Sequence, residues 1–170
     1  MTRRGTLAGL VSAGILPDAA LASLDARAKR DRHFMRIAIE EARQADFPFG
    51  AVITVDDVVM ARGRNSGSRL HDPTAHGEMV TIHRFLADHG PEKLRGATLY
   101  TSGEPCPMCM GAILWCGIGR MVYAASIPLL AARMNQIMIR SEDMAKHSFA
   151  PIAITGGVLE AEAMALFNQR

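Results

Sequence analysis

The stretch Gly103-Glu104-Pro105-Cys106-Pro107-Met108-Cys109-Met110-Gly111 packs two cysteines and two prolines into nine positions of a chain that has only three cysteines. Three is an odd and sparse number, which argues against a disulfide framework and leaves the close pair for metal or redox chemistry. Spaced three apart at the start of a predicted helix (residues 108–116), Cys106 and Cys109 can reach one atom across a single turn. The unpaired N–H groups of a helix start favour their thiolate forms. Three readings follow: a thioredoxin-like redox pair, a closed structural zinc site, or two corners of a catalytic metal site. The closed site needs a fourth ligand, and Cys116 points along the helix as a packing residue.

Upstream lies a short predicted strand (97–101). Thirty positions before Cys106 stands Thr74-Ala75-His76-Gly77-Glu78. Asp72-Pro73-Thr74 offers a cap and a first-turn proline for a helix carrying Met79, Ile82, His83 and Leu86, stopped by Gly90-Pro91. Two helices starting side by side at one sheet edge would gather His76, Cys106 and Cys109 around one point. One nitrogen and two sulfurs with the fourth tetrahedral position open is the donor set of a catalytic zinc. Glu78, two residues from His76, would then serve as proton acceptor rather than ligand.

Farther out, apolar residues at helical spacing predict a helix over 32–45. A hairpin follows over 50–61, with Asp56-Asp57 at its turn. Beyond the cysteine helix the pattern predicts a strand at 121–124, a helix at 129–138, a strand at 152–155 and a helix at 159–168. Strands alternating with helices after a hairpin make a mixed α/β sheet with helices on both faces.

At 170 residues and 49 % hydrophobic content the chain makes a single domain. No run approaches the ~18 apolar residues of a membrane span. Residues 1–30 form an N-terminal extension to a domain at 31–170. Arg3-Arg4, the apolar run from Ala8 to Leu16 and Ala20-Leu21-Ala22 have the layout of a twin-arginine signal, or of an amphipathic helix through Leu21, Leu24 and Ala28. The first predicts a periplasmic protein, the second a cytoplasmic one. The net charge of +2 sits in that extension: residues 31–170 carry fourteen Lys/Arg against fifteen Asp/Glu. A body without a basic surface disfavours a nucleic acid partner.

These residues resemble the cytidine deaminase-like superfamily, in its branch of guanine, cytosine and tRNA adenosine deaminases. The resemblance rests on Phe47-Pro48-Phe49-Gly50-Ala51-Val52-Ile53, Asn65, His71 to Glu78, Leu99-Tyr100-Thr101-Ser102, Glu104 to Cys109 and Gly111-Ala112-Ile113. It implies a three-layer α-β-α fold around a five-stranded sheet, and one zinc per chain on His76, Cys106 and Cys109. It also implies a homodimer, and hydrolytic deamination by zinc-bound hydroxide with Glu78 as proton shuttle. Asn65 would bind the base, the Gly77 N–H would donate to it, and Phe47 and Phe49 would stack on it.

The motifs look most like bacterial guanine deaminases, so a small free base, guanine-type first and cytosine-type next, is the expected substrate. Those enzymes carry acids about 28 positions after the second cysteine, where this chain has Ile137. An adenosine deaminase acting on tRNA is the alternative, resembled through His71 to His76 and Ile118-Gly119-Arg120. A zinc-stabilised binding module without activity is the third reading.

Overall fold

A computed structural model describes residues 18–169 of the chain. β1 (Gly50–Val55) and β2 (Val58–Arg64) form the expected hairpin, its two turn residues Asp56 and Asp57 both at positive φ, 49° and 62°. A register shift after Ile53 leaves Met60 as the extra residue of a bulge. β3 (Thr98–Gly103) pairs antiparallel with β1, and β4 (Arg120–Ala125) and β5 (Ala153–Thr155) extend the sheet in parallel. The result is a five-stranded mixed sheet in the order β2-β1-β3-β4-β5.

Alternation along the strands sorts side chains into two rows. Val52, Tyr100 and Val122 are successive cross-strand partners on one face, and Ile53, Leu99 and Met121 on the other. The first row is covered by α1 (Asp18–Arg43) through Phe34, Met35, Ala38, Ile39 and Ala42. Gly50 permits that contact, because a Cβ there would collide with the backbone of Ala38 and Ala42.

After a short α2 (Gly67–Leu70) within the polar connection come α3 (Gly77–His89) and, beyond β3, α4 (Pro107–Trp115). These cover the second row through Ile82, Phe85, Met110 and Ile113. Each such large apolar side chain contributes roughly 1.5–3 kcal/mol by leaving water. The order of the chain is completed by α5 (Ile127–Ala131), α6 (Ser141–Lys146) and α7 (Glu160–Met164), the last adding Ala163 to the α1 layer. The expected three-layer α-β-α fold is present.

Three expectations change. The second helix starts at Gly77, not at Asp72-Pro73-Thr74, because the Asp72 carboxylate accepts from Thr74 N (2.8 Å) and Oγ1 (2.6 Å) and closes a turn of its own. The helix predicted at 129–138 is α5 alone, followed by an irregular segment to residue 140, with Ile137, Met138 and Ile139 exposed instead of forming a buried stripe. The first helix is already present at Asp18, the first described residue, and crosses residue 31 unbroken, so residues 18–30 belong to it, with no buried residue between Asp18 and Arg30. Arg3-Arg4 and the apolar run after it lie outside the described residues. Among the described residues no helix is long and apolar enough to cross a membrane.

Candidate active site

The caps of α3 and α4 carry the chemistry. His76 caps α3 and Cys106 caps α4, both in extended backbone (φ −68°, ψ 158° and φ −64°, ψ 165°), and neither makes a side-chain capping hydrogen bond. Pro107 occupies the first turn of α4, where its missing N–H costs nothing. Freed from capping, the imidazole and the thiol converge: His76 Nδ1 lies 3.6 Å from Cys106 Sγ and 3.6 Å from Cys109 Sγ. A tetrahedral zinc at ordinary Zn–S and Zn–N lengths would hold nitrogen and sulfur about 3.6 Å apart, so the three residues fit the ion. Cys116 is not part of this group.

Glu78, the second residue of α3, is buried beside them. Burial raises its carboxyl above the usual 4.5. Its Oε1 lies 3.1 Å from the Thr101 hydroxyl, which is also 3.0 Å from the Gly103 carbonyl. One hydroxyl proton serves both: Thr101 donates to Glu78 when that oxygen is ionised, and can turn to Gly103 when it is protonated.

The metal-free donors share protons unequally. The hydrogen bond with Cys109 holds the Cys106 thiol down to about 4, with His76 adding to the effect. That neighbour, together with burial, pushes the Cys109 thiol up. His76 is raised above 6.5 by its hydrogen bond with Cys106.

Above this centre opens a cleft of about 560 Å³, within the range of small-molecule sites. Asn65 lines it, and its Oδ1 accepts from Gly67 N (3.2 Å), leaving the amide Nδ2 to donate. Phe47 stands half exposed at the rim, while Phe49 also packs edge-on against Phe167 with ring centroids 5.5 Å apart. Gly77 does not line the cleft. A Cβ there would sit 3.0 Å from Phe49 O, so glycine lets α3 begin this close to β1. Sequence reasoning gave no role to Thr101, Asn135 or Gln136, nor to Glu104, whose place beside Cys106 was the available signal. Met134, Asn135, Gln136 and Ile137 form one wall.

The sequence profile of the cytidine and deoxycytidylate deaminase zinc-binding region matches residues 28–125. The chain belongs to that family. It is 37 % identical to a tRNA-specific adenosine deaminase of Agrobacterium fabrum over 81 % of this chain and 91 % of the relative. It is 46 % identical to a guanine deaminase of Bacillus subtilis, over 46 % of this chain and 50 % of that one. A solved structure from studies of A-to-I editing by tRNA:A34 deaminases superposes with a TM-score of 0.69 at 32 % identity, covering 79 % of this chain and 98 % of the other. The cytidine deaminase-like chain is therefore a zinc-binding deaminase, a hydrolase of C–N bonds. Guanine-type specificity, ranked first from the motifs, is the less supported choice: likeness to that relative spans less than half the chain.

Proposed function

We propose that this enzyme hydrolytically deaminates adenosine in tRNA, with Glu78 as its proton shuttle. The observation that carries the substrate choice is a likeness to tRNA adenosine deaminases that extends well beyond the metal motifs. The wall of the cleft agrees. A base presenting ring N–H groups calls for a free carboxylate, and the position where guanine deaminases carry acids is Ile137. Glu104 has its oxygens occupied by Ile127 N, Ser141 N and Arg140 Nε, and Asp72 holds Thr74. What remains beside Glu78 is mainly amide, from Asn65, Asn135 and Gln136, suited to a heterocycle with ring acceptors.

Zinc held by His76, Cys106 and Cys109 supplies a Lewis acid that makes water a nucleophile near neutral pH. Glu78 accepts a proton from the attacking water, gives it to a ring nitrogen of the base, and assists the exocyclic amine out as ammonia. Asn65 Nδ2 orients the ring, and Phe47 at the rim offers a face for stacking.

A small free base is the second reading. It is favoured by the absence of Lys and Arg among the described residues lining the cleft, and by the place of Arg27, Lys29 and Arg30. These residues precede Asp31, whose partner Arg120 opens β4 at the sheet end opposite the metal. Ammonia release and product analysis over tRNA, adenosine, adenine, guanine and cytosine separate the two. Inosine in tRNA with silence on free bases is expected; turnover of guanine or cytosine alone would overturn the tRNA reading.

A homodimer is part of the same proposal. The outward face of α4 exposes Met108 and Trp115, and the Trp115 ring lies beside the similarly open Phe149, centroids 5.3 Å apart, in an apolar patch suited to a second copy.

A further inference from the structure

The wall made by residues 132–140 is attached in an unusual way. Among the described residues, no N–H from residue 135 to 138 donates a hydrogen bond to another protein group, and the side chains of Asn135 and Gln136 make none either. The strap is held by its ends. Ile127, the first residue of α5, donates its N–H to Glu104 Oε2 (2.8 Å), and Ser141, the first residue of α6, donates to Glu104 Oε1 (2.9 Å). Arg140 Nε bridges both oxygens at 2.8 and 2.9 Å, while its Nη2 donates to the Tyr123 hydroxyl at 3.0 Å on β4. The Glu104 side chain is fully buried and stands two residues before Cys106. A single carboxylate thus ties the metal loop to the start of α5 on one side, and to Arg140 and Ser141 on the other side, of the segment that presents Asn135 and Gln136 to the cleft.

We propose that Glu104 and Arg140 form a clamp that sets base selectivity, with Arg140 as a positioning residue that fixes where Asn135 and Gln136 meet the heterocycle. The clamp acts on recognition. Arg140 touches neither the metal ligands nor Glu78, so its removal leaves the chemical step in place and loosens the wall. Lysine restores a charge but cannot span both Glu104 oxygens and reach Tyr123 at once.

The selectivity part of this inference rests on the proposed deamination, so the test reads the wall independently of turnover. Zinc-loaded wild type, Arg140→Ala and Arg140→Lys are compared by zinc content, hydrogen exchange and kinetics over the panel of bases and tRNA. Arg140→Ala should keep one zinc per chain, exchange faster at the bonded amides that bracket the strap, Arg133, Met134 and Ser141, and not elsewhere, and lose about tenfold in discrimination through KM, not kcat. Arg140→Lys should recover part of both effects. Unchanged exchange and discrimination in Arg140→Ala, or acceleration spread over the whole chain with loss of zinc, would overturn the clamp. If wild type is silent on every substrate, the deamination reading fails by itself, and local acceleration at Arg133, Met134 and Ser141 still supports the clamp while its absence removes it.

Discussion

In the proposed reaction, acid and base duties fall on one carboxyl group at Glu78. Its burial and the two-way hydroxyl of Thr101 let it hold or release a proton without moving. Glu78→Gln keeps the size and loses the proton chemistry; turnover should fall by about a thousandfold while elemental analysis still finds one zinc per chain. Retained turnover would remove Glu78 from the shuttle role. The ligands also predict how zinc binds. His76 and Cys109 both sit above their ordinary values, so at neutral pH the metal-free site carries protons that zinc must displace, whereas Cys106, held near 4, has none to lose. Zinc uptake should therefore release protons and tighten as pH rises from 6 to 8, read by competition with a chelator. An affinity flat over that range would contradict the arrangement. The ligands and Glu78 were legible in the sequence because each motif is short and its chemistry follows from residue type. Thr101 was not, because its partner lies 23 residues away across the sheet.

Two elements are fixed by contacts that no local pattern encodes. Asp31 on α1 receives both Nη groups of Arg120 from the start of β4, at 2.7 and 2.6 Å, and the Tyr100 hydroxyl from β3 at 3.0 Å. Burial alone would raise the Asp31 carboxyl; the Arg120 and Tyr100 bonds more than offset it and hold it below its usual 3.8. Such a depressed acid stabilises the fold fully above 3.8, and that contribution is lost as pH falls through the lower folded value. Arg120→Met would leave the carboxylate buried without its ion partner, at a cost of roughly 3–5 kcal/mol in denaturant unfolding at pH 7. The loss should shrink below pH 4, where Asp31 can protonate; a cost independent of pH would contradict the pairing. The sequence placed α1 by its apolar spacing, but the anchor joins residues 89 apart and left no periodic trace. The segment after α5 misled for the reverse reason. Its apolar residues suggest a helix, yet they line the cleft or face solvent, and the order of the segment comes from Glu104, outside any window a pattern can scan.

Across the whole molecule, the two rows of the sheet and the opposed helix layers follow from strand alternation, which is why the fold could be read before the structure. The choice of substrate could not, because the wall that makes it is irregular. The exposed α4 face bears on assembly: Trp115→Glu should turn a dimer into a monomer in sedimentation velocity with zinc content unchanged. A wild-type chain that sediments as a monomer would remove the dimer. The single carboxylate that grips Ile127, Arg140 and Ser141 on either side of the irregular segment has an evolutionary consequence as well. Residues 135–139, whose side chains take no part in the core, can be exchanged while α5 with its buried Leu130, and Arg140, Ser141 and Glu104, stay as they are, so this short stretch behaves as a replaceable cassette. New substrates can then be explored by mutation without disturbing the loop that binds the metal.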